Sequence, residues 1–330
     1  MKPSEDPPAD PAVLEALRAR ARGEPAVSFA DYMDVALYDP GAGYYRRPGP
    51  RIGYGPGTDF LTATASAPLF GRMVAAACEG ILGPGVAAHS EFVEIGAEPG
   101  GGILGAGPHP FGSLRQIRVG EPLRIEGPCV VFSNELFDAQ PFRRFRFRAG
   151  AWRELGVSVA DLSEVELPPG PAAPAPFPRS AAEGYVIDAP LAAAELARRI
   201  AREPWTGLFL AFDYGKPWRE ISLETPAGTA RAYRGHAQVA DLLGSPGRQD
   251  ITCHVCWDWL ADALRGLGFR EPRVESTEAF FTLNCGDFIA GVAEAQAGRL
   301  SPEKLSLLQL LHPAHLGQSY QALWALRRPA

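Results

Sequence analysis

Three short apolar runs of strand length each end in polar residues or glycine, and this recurrence constrains the fold more than any other feature. Residues 92–95 lead into Gly96; Cys129-Val-Val-Phe-Ser-Asn134 leads into Glu135-Leu136-Phe137-Asp138; residues 207–212 lead into Asp213-Tyr214-Gly215. A continuous apolar run of this length reads as a strand buried on both faces, the habit of parallel sheets covered by helices. Ligands in such sheets bind beyond the carboxyl ends of the strands. The polar residues after each run are therefore the first functional candidates. Asn134, Glu135 and Asp138 bring together an amide and two carboxylates; the plainer alternative is the acid-rich start of a helix.

The first run opens a segment with glycine at 96, 100, 101 and 102. Glycines at a strand exit let backbone N–H groups approach a nucleotide or nucleoside, and Glu94 can accept from a ligand amine or hydroxyl. In a doubly wound fold, a helix and then a second strand ending in an acid should follow. Residues 102–127 show no helical period. Residues 114–119 and 123–125 read as short strands, and neither Glu121 nor Glu126 marks an obvious nucleoside site.

Elsewhere the pattern is more regular. Helices are expected over 11–22, from Ser28 (an N-cap, with Asp31 in a capping-box place), and over 67–82, 191–200, 257–267 and 302–311. Residues 43–62 are dense in glycine, proline and aromatics, and Thr58, Asp59 and Thr62 suit a ligand clamp. Residues 142–148 alternate arginine with phenylalanine, a half-solvated strand whose hairpin partner is 152–157. Residues 167–178 form a Pro/Ala loop, 228–233 and 250–255 are extended, and 317–326 add helix with a last strand or turn. The expected division is a helical region with the glycine-rich ligand loop over 1–86 and a core with hairpin insertions over 87–330.

Composition narrows the function. Hydrophobic content of 46% and charged content of 21% describe a packed globular protein, and a net charge of −6 offers nucleic acid no general attraction. No apolar run reaches the length of a membrane span, and the acidic, proline-rich start lacks signal-peptide order, so a cytoplasmic location is expected. Five cysteines, an odd number at irregular spacing, fit a reducing compartment. Cys253 and Cys256 form a CxxC without a second ligand pair, so no metal is expected.

Taken in order, the motifs resemble the MidA-type SAM-dependent methyltransferases, a family that includes a mitochondrial complex I assembly factor acting as a protein arginine methyltransferase. The matching segments are Ser28-Phe-Ala-Asp-Tyr-Met33, Tyr38-Asp-Pro40 leading to Gly43-Tyr-Tyr45, Gly57-Thr-Asp-Phe-Leu-Thr62, Pro68-Leu-Phe-Gly71, Glu94-Ile-Gly-Ala97, Asn134-Glu-Leu-Phe-Asp-Ala-Gln-Pro141, Asp213-Tyr-Gly215, residues 228–236 and residues 246–255. Two departures stand out. Glu98-Pro99 replaces a glycine of the family's motif, and only about thirty residues separate that motif from Asn134, where the family has helix, strand and helix with the ribose-holding acid.

The resemblance implies a Rossmann-like class I methyltransferase sheet, truncated after the glycine motif, with an N-terminal helical region and β-hairpin insertions. It implies SAM as cofactor, held by Asp59, Phe60, Thr62, Glu94, Gly96, Ala97, Gly100 and Asn134. Asn134, Glu135, Asp138, Tyr214 and His254 would serve the acceptor, a protein arginine, with no nucleic-acid or membrane partner. A degenerate methyltransferase fold that acts as a binding or assembly factor is the competing expectation.

Overall fold

The computed structural model describes residues 10–47, 68–97, 101–169, 176–298 and 301–328. Asp59, Phe60, Thr62, Gly100 and the Glu98-Pro99 pair lie outside the described residues.

The buried runs become strands of one six-stranded sheet: β1 (Glu91–Ile95), β2 (Ser113–Ile117), β3 (Gly127–Asn134), β4 (Trp205–Asp213), β5 (Arg270–Ser276) and β6 (Gln321–Arg327). Their order across the sheet is β5-β6-β4-β3-β1-β2. β2, β1, β3 and β4 are parallel, while β6 runs antiparallel between β4 and β5. The chain leaves β1 toward β2 on one side and resumes at β3 on the other. The crevice between β1 and β3 is thus the topological switch point, where open α/β sheets bind ligands.

Alternate residues of the strands feed opposite faces. Phe92, Val130, Phe132, Leu208, Leu210 and Phe212 pack with helices Leu69–Leu82, Thr277–Ala295 and Pro302–Leu311. Val93, Cys129, Val131, Phe209 and Ala211 pack with Leu191–Arg202 and Trp257–Arg265 on the other face. Phenylalanines dominate the first face; the Phe212 ring lies within 6.2 Å of the rings of Phe70, Phe132, Phe280 and Phe281.

A second, antiparallel sheet of Ala26–Ser28, Ala151–Ser158, Arg143–Arg148 and Val186–Ala189 packs with helices Pro11–Ala21 and Phe29–Tyr38. Ser28 caps the latter helix by accepting from the Asp31 N–H at 3.0 Å. The arginines of Arg143–Arg148 are matched to acids: Arg143 to Glu154, Arg144 to Asp188 and Glu164, Arg146 to Glu164, and Arg148 to Glu166. Each of these arginines is thus paired with an acid of a neighbouring strand.

Several expectations change. β2, Ser113–Ile117, is the strand expected over 114–119 with its bounds shifted, and it pairs in register with β1. No helix stands among the described residues between β1 and β2 or between β2 and β3. Residues 123–125 carry no strand, and Asn134 opens a turn and not a helix. Residues 321–327 form β6, and the expectations above assign nothing to β5 or to helix Thr277–Ala295. All five cysteines are buried free thiols, and no group of metal-ligating side chains occurs among the described residues. No described helix is long and apolar enough to cross a membrane.

Candidate active site

A cavity of about 1070 Å³ opens at the switch point. It is lined from β1 by Glu94, Gly96, Ala97, Gly101 and Gly102, from β3 by Asn134, Glu135 and Asp138, and from later segments by Tyr214 and His254. The structure therefore brings every described candidate into one space, although the candidates span 161 residues of sequence from Glu94 to His254. Tyr38, Tyr45, Tyr233 and Asp250 complete its far wall.

The glycine side is built around Glu94. Its buried carboxyl accepts from the Ile103 N–H at 2.9 Å and so ties Ile103 to β1. Burial pushes this acid up to about 7, against the downward pull of that bond. Gly102 leaves room for this carboxyl: a Cβ there would stand 2.1 Å from the Glu94 Oε2 and 2.6 Å from the Gln116 Nε2, so both side chains would have to move. Gly96 turns the chain at φ +82°, a conformation that favours glycine. Glu121, which has no obvious site in the sequence, lines the same cavity beyond β2, and its carboxylate accepts from the Arg118 N–H at 2.8 Å.

The opposite side is the Asn134–Asp138 turn, and a buried acid outside the motif shapes it. Asp213, fully buried at the end of β4, accepts from the N–H groups of Phe137 (2.9 Å), Asp138 (3.3 Å) and Tyr214 (2.8 Å). Burial lifts Asp213 to about 7 although these three bonds pull it down. The turn is also held by Glu135 N–H donating to the Phe212 carbonyl, Cys253 N–H to the Asp138 carbonyl, and the Tyr38 hydroxyl to the Ala139 carbonyl. Glu135 itself sits at φ +49°, a strained setting for a non-glycine residue and one that clusters at functional sites.

The electrostatics of this side are unusual. Asp138 lies well above the carboxylate range, first because it is buried and then because Asp213, Glu135 and Asp250 crowd it. Its Oδ1 has no hydrogen-bond partner among the described residues, and neither does the Nδ1 of His254. Burial, with Lys216 and Arg231 nearby, holds His254 down at about 4, so the ring is neutral at neutral pH. Burial also raises the Tyr214 phenol, which stays protonated and able to donate. Tyr320, absent from the candidate set, enters from beneath; its hydroxyl donates to the Asn134 Oδ1 at 2.7 Å.

The residues suit SAM. The cavity is at the upper end of small-ligand pockets and has room for a nucleoside cofactor with an acceptor side chain. Its glycine wall exposes backbone, and its β3 wall holds the carboxyl groups of Glu135 and Asp138. A mixed sheet with this switch-point cavity, glycines on one side and acids on the other, is an arrangement that can hold SAM, and the class it belongs to, the SAM-dependent methyltransferases, is given by its relatives. The comparisons agree. A family model described as S-adenosyl-L-methionine-dependent methyltransferase matches residues 115–272. A Burkholderia thailandensis protein solved with S-adenosyl-homocysteine is 26% identical, with a TM-score of 0.76 over 97% of this chain and 95% of that one. A native crystal structure from the same organism gives a TM-score of 0.77 at the same identity and coverage.

Among curated relatives, the mitochondrial protein arginine methyltransferase NDUFAF7 of Danio rerio is 24% identical over 310 residues, 75% of this chain and 71% of its own. Its Mus musculus counterpart is 30% identical over 149 residues, covering 43% of this chain and 32% of that protein. The chain is thus similar to the MidA-type SAM-dependent methyltransferases in sequence and in fold.

Proposed function

We propose that the chain methylates a cationic nitrogen, the guanidinium of an arginine in a protein acceptor. The observation that carries this reading is the pair of carboxyl groups that line the cavity with the glycine wall, half-buried Glu135 and buried Asp138, the Asp138 Oδ1 having no partner among the described residues. Two carboxyl groups match a guanidinium through charge-assisted bonds. The arginine methyltransferase name of the curated relatives supports the same acceptor class.

The cofactor, when bound, supplies an electrophilic methyl group on a sulfonium. Gly96, Ala97 and Gly102 would receive its methionine end and Glu121 its ribose, with Asp59, Phe60 and Thr62 assigned to the same pocket by their motif. Glu135 and Asp138 orient the acceptor nitrogen and, once ionised, stabilise its positive charge. His254, neutral and too weak a base to retain a proton near pH 7, accepts a hydrogen bond and directs the acceptor. Tyr214 donates to it from the other side. Glu135 is the group placed to take the proton that leaves as the new N–C bond forms. The competing binding-factor reading rests on Glu98-Pro99 and on the absent helix-strand-helix; of these, the strand alone has a counterpart, in β2.

The test is calorimetric and kinetic. Glu135→Gln should bind SAM as the parent does while transfer to an arginine peptide falls about a hundredfold. A parent chain that is folded and gives no heat with millimolar SAM would sink the proposal, and so would a Glu135→Gln variant with undiminished transfer.

A further inference from the structure

We infer that Tyr320 is a positioning residue of the acceptor site, acting through Asn134 on Glu135. The inference rests on the reading of Glu135 as the group that meets the acceptor. Tyr320 lies outside the family-matched segment 115–272 and 186 residues from Asn134 in sequence, so no local motif announces it.

The geometry is one connected set. Tyr320 is fully buried, and its backbone carbonyl is held by both the N–H (3.0 Å) and the hydroxyl (2.7 Å) of Thr277. Its ring lies against Phe212 at 5.9 Å and Tyr214 at 4.8 Å. Its hydroxyl therefore has little freedom, and it meets the Asn134 Oδ1 at 2.7 Å, with the Phe212 carbonyl a longer 3.3 Å away. The other end of the Asn134 amide, Nδ2, donates to the Glu135 Oε1 at 3.4 Å.

An asparagine amide can face either way, and here both ends agree. A carboxylate calls for a donor, which turns Nδ2 toward Glu135; that turn leaves Oδ1 for a donor on the far side, and Tyr320 supplies it. The Glu135 backbone donates to the same Phe212 carbonyl that borders the Tyr320 hydroxyl. Backbone and side chain of Glu135 are thus fixed from one place, the junction of β3, β4 and the start of β6. Without the hydroxyl, the amide loses its reason to keep one orientation, and Glu135 loses its lateral support.

The test is a double-mutant cycle with SAM binding as control. Tyr320→Phe keeps the ring and removes only the hydroxyl; kcat for peptide methylation should fall about tenfold while the SAM Kd stays within about twofold. Asn134→Ala should cost as much, and the double variant no more than Asn134→Ala alone, since both act on one path. Asn134→Asp keeps an acceptor for Tyr320 and replaces the donor that faces Glu135, so it should lose rate with the fold intact, which covers a Tyr320→Phe chain that fails to fold. Independent, multiplying losses in the cycle would overturn the inference, as would parent-like kcat in Asn134→Asp. If Glu135→Gln is itself harmless, the failure belongs to the acceptor-site reading and not to Tyr320.

Discussion

Replacing Gly102 by alanine is the most direct probe of the glycine wall. The added Cβ would stand 2.1 Å from the Glu94 Oε2, where ordinary contact begins at 3.4 Å, so the carboxyl must retreat by more than an ångström. It cannot do so and keep the 2.9 Å bond from the Ile103 N–H. Leaving that buried donor unsatisfied costs about 1–3 kcal/mol. Crowding the packed site adds a further cost of about 1–3 kcal/mol. A loss of about 3 kcal/mol should appear as a lower urea midpoint at unchanged slope. Because Glu94 sets the loop that borders the cofactor cavity, SAM affinity by calorimetry should weaken at least about tenfold, equivalent to about 1.4 kcal/mol. Gly85 is the control, since a Cβ there meets nothing within 4 Å and its φ is ordinary. If Gly102→Ala matched Gly85→Ala in both midpoint and SAM affinity, the role given to Glu94 would be wrong.

Two further outcomes follow from buried acids. Asp213→Ala leaves three backbone N–H groups without their acceptor and should lower stability by about 3 kcal/mol or more, measured by urea unfolding; a parent-like midpoint would remove Asp213 as the support of the Asn134–Asp138 turn. Glu94 and Asp213 are both lifted to about 7 from 4.5 and 3.8, and Asp138 is lifted further, so the folded chain keeps protons that the unfolded chain has released. Their stabilising contribution is full below about pH 4 and, for Glu94 and Asp213, is lost as pH rises through 7; His254, lowered from 6.5 to about 4, works the other way only below 6.5, so the urea midpoint of the SAM-free protein should fall between pH 6.5 and pH 8. A midpoint that rises over this interval would contradict the environments assigned to these acids.

The parts of the fold legible in the sequence are those whose signal is local. β3 and β4 announce themselves because both faces are covered, which leaves a continuous apolar run. The Arg143–Arg148 hairpin shows in its period of two, and helix Leu69–Leu82 in its stripe. β2 and β5 are edge strands, and residues such as Leu114 and Val274 stand partly in water; β2 still shows as a short strand over 114–119, whereas Arg-Glu-Pro-Arg-Val in β5 carries no comparable run. Helix Thr277–Ala295 hides for another reason: its apolar residues are not confined to one stripe, and Leu283 is 72% exposed. Within the site, Asn134, Glu135 and Asp138 stand out by position after a strand. Asp213 as the turn's anchor and Tyr320 as a partner of Asn134 depend on hydrogen bonds across 76 and 186 residues, which no spacing rule encodes.

The placement of β6 has a consequence for how the protein is made. Synthesis proceeds from the amino end, and β4 and β5 emerge before the strand that separates them. Until residues 321–327 slot in, β4 presents an open edge flanked by Leu208, Leu210 and Phe212, the kind of edge that recruits other strands. The insertion closes a long loop and comes late, so the nascent chain passes through a stage that is prone to self-association and to capture by chaperones. The same step delivers Tyr320 beneath Asn134. Sealing the sheet and completing the acceptor side are therefore one event, and a ribosome-bound chain stalled before residue 320 would be a sticky intermediate without a finished catalytic pocket.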